Sequence, residues 1–438
     1  MSAYQLSASE ASRAIADGSL SSEALVAACL ERIDAREDAV RAWAHLDREQ
    51  ALAQARARDR ETRRSPLHGI PIGVKDVIDT ADLPTEYGSP IYRGHRPASD
   101  AACVAQLREL GAVILGKTVS TEFATRHPNK TRNPRNPAHT PGGSSSGSAA
   151  AVADDMVPVA LGTQTSSSIV RPAAYCGVVG YKPTFGLINR AGLKFLSESL
   201  DTIGTLTRTI EDAALVVQAL AGVPAPDFHA VATLEPRIGF CRTPYWPQAD
   251  ARTQATLESA VAALAARGAV TGEVALPDEY AALAAMQIAV SSYEFVRALA
   301  YERTRFPELL SASLTARMNA GLAVTRAEYE RGQALARRAR AHIASILRHY
   351  DVIVAPSTPG EAPHGLDSTG DPIFGLMWTF LGLPCLTLPH GTGAHGLPLG
   401  IQVVGRYGGD AGLFVHAEWI RRALGGAQTA SGLSAIPD

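Results

Sequence analysis

The sequence predicts an α/β fold organised as one large domain, and three observations carry that expectation. The first is alternation: Gly69-Ile70-Pro71-Ile72-Gly73-Val74 is a short apolar run suited to a buried strand, Asp100 to Leu110 has helical spacing, Gly111 supplies a stop, and Ala112 to Leu115 reads as the next buried strand. Such β–α–β texture is what an α/β architecture leaves in a sequence. The second is the distribution of charge. Charged residues make up 19% of the chain, below the ~25% of an average soluble protein. The deficit is concentrated: Thr140 to Tyr181 holds only Asp154, Asp155 and Arg171, and Pro372 to Gly405 holds no charge at all. The third is size. The 438 residues contain no internal repeat and no linker-like stretch, so a single domain over 1–438 is expected, with a core at about 65–230 and 350–425 and a helical insertion at about 250–348.

The elements follow in order. Leu6 to about Arg64 reads as helices with a charged, solvated outer face. The strand and helix signals above come next, then two serine-rich loops within the first charge-poor segment. Thr253 to Gly268 and Tyr280 to Arg348 have helical spacing, with arginines 331, 337, 338, 340 and 348 expected in solvent. The uncharged segment from Pro372 is long enough to span a bilayer, but Pro384, Pro389 and Pro398 would break a spanning helix repeatedly, so short buried strands and tight turns are expected there.

Composition also excludes several function classes. A formal net charge of −2 gives no electrostatic reason to expect nucleic acid or an anionic membrane as partner. Cys29, Cys103, Cys176, Cys241 and Cys385 are odd in number, widely spaced and never in a CxxC, which argues against a disulfide framework or a zinc site. With no ligand cluster for a metal, no metal and no cofactor are expected. The N-terminal stretch lacks the layout of a signal peptide, so a cytoplasmic location is expected.

Two short motifs match and are rejected on context. Gly111 to Thr118 fits the P-loop expression, yet its middle is an apolar run rather than a pliant phosphate cradle. Gly143-Ser144-Ser145-Ser146-Gly147 fits a nucleophile elbow, which must follow directly on a strand; the preceding Arg132 to Pro141 contains three prolines and cannot be a central strand. A broader pattern survives. Pro141-Gly-Gly-Ser-Ser-Ser-Gly-Ser148 leads into an alanine-rich helix, and Gly162-Thr-Gln-Thr-Ser-Ser-Ser-Ile-Val-Arg-Pro-Ala173 follows a second apolar run. Flexible linkers are not embedded in apolar sequence, so both loops read as presented by buried elements.

A serine hydroxyl becomes a useful nucleophile only when a base takes its proton, and these loops have no nearby histidine in sequence except His139. Lys75, at the end of the first strand signal, is a candidate base if it is neutral; holding an unperturbed lysine neutral at pH 7 would cost about 4.6 kcal/mol, so it must be buried. Its neighbour Asp76 is then expected to face elsewhere.

Lys75 and the two loops, together with Leu67 to Asp79, Gly116-Lys-Thr118, Cys176 to Thr184 and Gly396 to Gln402, resemble the amidase signature family of serine hydrolases. The resemblance covers most of the chain. It implies a large mixed β-sheet flanked by helices on both faces, and a Ser-Ser-Lys triad in which the middle serine has a cis peptide bond. Carried onto this sequence, the lysine is Lys75, the bridging serine Ser144 and the nucleophile Ser168; composition alone leaves Ser145, Ser166 and Ser167 open. Backbone N–H groups of Thr165, Ser166, Ser167 and Ser168 are the expected oxyanion hole.

The sequence departs from the commoner family pattern in the second loop. Gln164 stands for an aspartate, Ser166 and Ser167 for two glycines, and Arg171 falls three residues after the nucleophile, as in the bacterial malonamidase-like branch, where the matching arginine holds a substrate carboxylate. Arg171, Ser145 and Trp378 are the expected substrate-binding residues; a purely bracing role for Arg171 stays open, and Phe374, Trp378 and Phe380 suit core packing as well as they suit lining the site. If either lost glycine needs a left-handed backbone, serine there costs on the order of 1–2 kcal/mol. The leading expectation is a stand-alone amidohydrolase acting on a small-molecule linear amide through an acyl-enzyme, a homodimer being an open option. The alternatives are the glutaminase subunit of a tRNA-dependent amidotransferase and a catalytically impaired scaffold.

Overall fold

The computed structural model describes residues 2–425; Met1 and residues 426–438, the ends of the predicted 1–438 domain, lie outside the described residues. Eleven strands form one mixed sheet: β1 (Trp43–Leu46), β2 (Pro71–Lys75), β3 (Val113–Thr118), β4 (Val159–Gln164), β5 (Val179–Lys182), β6 (Thr202–Thr207), β7 (Arg237–Phe240), β8 (Val270–Glu273), β9 (Val352–Pro356), β10 (Cys385–Thr392) and β11 (Pro398–Val404), in the spatial order β1-β3-β2-β4-β6-β5-β10-β11-β9-β7-β8. Pairing is parallel for β2 with β3 and β4, and for β7 with β8 and β9; the remaining neighbours are antiparallel. Helices cover both faces, so β2, β3, β4, β5, β6, β9 and β11 are buried along their whole lengths. This explains why they read as continuous apolar runs rather than as alternating ones.

The sheet places the two chemistry-bearing loops side by side. Strands β2 and β4 are parallel neighbours, with Val74 opposite Leu161, so their C-terminal ends open at the same edge. Lys75 ends β2, and the second serine loop starts where β4 stops. The first serine loop enters the alanine-rich helix Ser146–Ala153, every residue of which is buried. Small residues let it approach the neighbouring backbone: a Cβ on Gly147 would meet Ala42 O at 2.2 Å and Val119 N at 2.3 Å.

Several expectations need adjustment. Trp43–Leu46 lies in a region that reads as helical and instead pairs antiparallel with β3. The predicted 250–348 insertion is not wholly helical, because Val270–Glu273 completes the sheet edge beside β7. The uncharged segment from 372 contains the helix Ile373–Phe380 before β10 and β11. Strands and helices this short carry little periodicity, so pairing partners decide these cases. Of the arginines expected in solvent, Arg340 is only partly exposed and donates through Nε to Leu381 O at 2.7 Å. The P-loop look-alike lies in β3, where Lys117 Nζ is buried and donates to Ile78 O and Thr85 Oγ1. All five cysteines are free and buried. Among the described residues no helix is long and apolar enough to cross a membrane.

The helices Leu283–Ala298 and Ala312–Leu322 line one cavity with Ser166 and Ser168, and Ala300–Arg305 and Arg326–Ile346 pack against the first of them. One anchor is the fully buried Glu302, which accepts from Tyr92 Oη at 2.6 Å and pairs with Lys194 Nζ at 2.5 Å. Removing one partner of a buried ion pair leaves the other uncompensated. Because Lys194 is partly exposed, Glu302→Ala is expected to lower stability by about 2 kcal/mol, read as a shift in the urea unfolding midpoint; an unchanged midpoint would show that this anchor contributes nothing.

Candidate active site

Lys75 is fully buried, and Nζ lies 2.7 Å from Ser144 Oγ and 2.7 Å from Thr163 Oγ1. No carboxylate pairs with it among the described residues. Burial therefore holds its pKa well below the ordinary lysine value, opposed only by the charge of Asp201. Asp76 turns away, accepting from Glu86 N at 3.1 and 3.2 Å and lying 3.9 Å from Lys117. The peptide between Gly143 and Ser144 is cis.

Ser168 is 7% exposed and lines a cavity of about 350 Å³. Its hydroxyl makes no hydrogen bond among the described residues, so Lys75 and Ser144 are linked while the step from Ser144 to Ser168 is open. Catalytic hydrogen bonds in ligand-free sites often close only on binding. The loop carrying Ser168 is latched to the first serine loop by Ser145, whose N–H donates to Ser168 O at 3.3 Å while its Oγ exchanges hydrogen bonds with Thr163 N and Thr163 O at 3.2 Å. Ser145 is thus buried in the latch and is not part of the cavity wall.

The two serines replacing glycines fit without strain. Neither Ser166 nor Ser167 has a positive φ. Ser167 points toward Gly375, where an added Cβ would lie 2.5 Å from Ser167 Cβ and Oγ, so a glycine on the facing helix makes the room. Ser166 lines the cavity and Ser167 does not.

Arg171 lines the cavity but is held by the protein, donating through Nη1 to Gly370 O at 3.0 Å and through Nη2 to Gly143 O at 2.7 Å and Thr369 Oγ1 at 3.2 Å. Burial lowers its pKa to about 10. It ties the 369–370 segment to the carbonyl preceding Ser144. Trp378 lies elsewhere: it is fully buried in the apolar cluster with Phe374 and Phe380, away from the cavity wall. The helix Ile373–Phe380 instead presents Gly375 and Thr379 to the serine loop.

Sequence reasoning missed the groups the helical segment contributes. Gln287 lines the cavity and donates to Thr165 O at 2.7 Å. Arg317 and the exposed Arg126 also line it, and neither has a hydrogen-bond or ion-pair partner among the described residues. Arg317 lies over the Phe295 ring at 4.9 Å, and burial together with the charge of Arg126 brings its pKa down to about 10. No spacing signal marks them: Gln287 and Arg317 come from helices far along the chain from either serine loop, and Arg126 from an irregular segment before the first.

A family model described as Amidase matches residues 24–414. The chain belongs to the amidase family. It is 37% identical to a glutamyl-tRNA(Gln) amidotransferase subunit from Roseiflexus castenholzii, over 92% of this chain and 92% of that one. Among solved structures, native peptide amidase from Stenotrophomonas maltophilia superposes with a TM-score of 0.83 at 32% identity, covering 96% of this chain and 97% of the other. The corresponding glutamyl-tRNA(Gln) amidotransferase subunit from Thermotoga maritima gives 0.79 at 28% identity, covering 96% and 95%. In this member of the family Lys75 and both serine loops lie together at the strand ends just described.

The Arg171 contacts generate a prediction. Arg171→Met removes donors that brace the first serine loop, so kcat/KM should fall for neutral and anionic amides alike, by ~10-fold or more. A loss confined to anionic amides would mean that Arg171 holds the substrate rather than the loop.

Proposed function

We propose that this chain hydrolyses the amide of a small, carboxylate-bearing molecule through an acyl-enzyme on Ser168. The observation that carries this reading is Lys75, buried without a counter-ion and 2.7 Å from Ser144 Oγ. In its neutral form Nζ has a lone pair for the Ser144 proton, while Ser144 Oγ takes the proton of Ser168. Ser168 Oγ then bonds to the carbonyl carbon, and the π electrons move onto the carbonyl oxygen, facing the loop N–H groups. Collapse breaks the C–N bond; the departing amine receives the proton returned from Lys75 through Ser144. Water repeats the sequence on the acyl-enzyme, releasing the acid and restoring the Ser168 hydroxyl.

Arg317 and Arg126 support a negatively charged substrate, since two unpaired guanidiniums lining one cavity repel each other until an anion lies between them. Glutamine is one such amide, and the similarity to amidotransferase subunits favours the second reading, the glutaminase subunit of a tRNA-dependent amidotransferase, over a stand-alone amidohydrolase. Glutamine hydrolysis that appears only on adding the other subunits of such an enzyme supports that second reading; full activity of the isolated chain on other amides supports the first.

Ser168→Ala should remove turnover by ~10⁴-fold or more, together with covalent labelling by a fluorophosphonate located by peptide mass mapping. A labelled wild-type peptide lacking Ser168, or no adduct with any probe, would sink the assignment and favour a scaffold. Arg317→Met should reduce kcat/KM for carboxylate-bearing amides by ~10–100-fold relative to uncharged ones. The pH dependence follows from Lys75. Its folded pKa lies below the ordinary value and only the neutral form is competent, so kcat/KM should rise with pH through that lowered pKa and then level off. Activity that continues to climb toward the ordinary lysine range, near ~10.4, would contradict a neutral Lys75 base.

A further inference from the structure

We infer that Thr379 and Gln287 are positioning residues that aim the oxyanion hole, an inference that rests on the Ser168 reading above. From Thr165 to Ser168 every carbonyl is held. Thr165 O accepts from Gln287 Nε2 at 2.7 Å, Ser166 O from Thr379 Oγ1 at 2.6 Å, Ser167 O from Arg171 N at 2.9 Å and Ser168 O from Ser145 N at 3.3 Å. The N–H groups of the same four residues donate to nothing among the described residues. Buried backbone N–H groups are rarely left unpaired. In a trans peptide the N–H points opposite to the C=O of the preceding residue, and the peptides in this loop are trans. Pinning Thr165 O and Ser166 O therefore sets the directions of the Ser166 and Ser167 N–H groups, and pinning Ser167 O sets that of Ser168.

The two side-chain pins have a fixed polarity. Gln164 Oε1 accepts from Ile169 N at 2.8 Å and Val170 N at 3.0 Å, so its amide must present Nε2 to Thr379 Oγ1, at 2.9 Å. With that lone pair occupied, the Thr379 hydroxyl is left to donate to Ser166 O. An aspartate at 164, as in the commoner family pattern, accepts only and could not impose this direction. Gln287 is likewise oriented, because Thr165 O can only accept; its Nε2 also reaches Ser166 Oγ at 3.3 Å. The residue is 0% exposed and sits on the helix Leu283–Ala298, so the helical segment and the helix Ile373–Phe380 grip the nucleophile loop from two sides.

The test compares Thr379→Val, Thr379→Ser and Gln287→Met with wild type, reading kcat and KM on one amide, the rate of fluorophosphonate labelling at Ser168, and inhibition by the carboxylic acid product. Loss of a well-aimed donor acts on the tetrahedral species, so Thr379→Val and Gln287→Met should each lower kcat and the labelling rate by ~10–100-fold. KM and product inhibition should stay within about threefold. Thr379→Ser, which keeps the hydroxyl, should restore most of the lost rate. Folded Thr379→Val with wild-type kcat, or parallel losses in kcat and product binding, would overturn the inference. Should the variants fail to fold, a crystal structure of the wild-type phosphonyl adduct decides: Ser166 or Ser167 N on the phosphoryl oxygen with both pins intact supports it, and pins released from the carbonyls refute it. Absence of any Ser168 adduct in wild type would instead sink the functional reading on which it rests.

Discussion

A lysine amine buried without a counter-ion is the constraint on which the rest of the site depends. An ammonium in that position would have to be desolvated with no carboxylate to compensate it, so the amine is driven toward its neutral form. Keeping it neutral requires apolar strands on both sides, and β2, β3 and β4 are buried throughout. It also requires the neighbouring carboxylate to be turned out of the way, which the Asp76 contacts to Glu86 N and Lys117 accomplish. The charge-poor stretch from Thr140 to Tyr181 is the sequence expression of the same requirement.

Around that amine the structure divides its backbone polar groups unequally. The second serine loop has its carbonyls tied to Gln287, Thr379, Arg171 and Ser145, while its N–H groups remain open. Such a loop carries a concentrated donor surface before any ligand arrives. Preorganised donors need no rearrangement as charge develops on an oxygen, which is why they are effective in a water-poor cavity. The serines at 166 and 167 do not spoil the arrangement, since their backbones avoid the left-handed region and Gly375 leaves space for the Ser167 side chain.

Much of this was legible in the sequence. The β–α–β texture led to the sheet, and the resemblance carried by the ordered motifs pointed to Lys75, Ser144 and Ser168, of which the structure joins Lys75 to Ser144 by a hydrogen bond. Arg171 was visible as the one charge inside the second serine loop, but its partners were not: Gly143 O, Thr369 and Gly370 decide that its Nη atoms hold the protein itself. Trp378 looked like cavity lining because the segment is apolar; the helical turn there sends Trp378 into the core and Thr379 toward Ser166 O. Arg317 and Gln287 gave no local signal, since an arginine or glutamine on a helix reads the same whether it faces water or a cavity, and Arg126 sits in an irregular segment with no periodicity to read.

What the sequence determined by itself is whatever local chemistry writes into neighbouring residues: the apolar run that buries a lysine, the glycine-rich turns, the serine triplets and the family they resemble. The tertiary structure alone decided which groups meet. Parallel pairing of β2 with β4 brings Lys75 beside Thr163, and helices from the 283–346 and 373–380 regions supply the side chains that pin the second serine loop and line its cavity. The two pinning contacts join positions more than one hundred residues apart. Sequence periodicity reports which face of an element is buried, whereas the partner on that face is set by how the sheet is ordered.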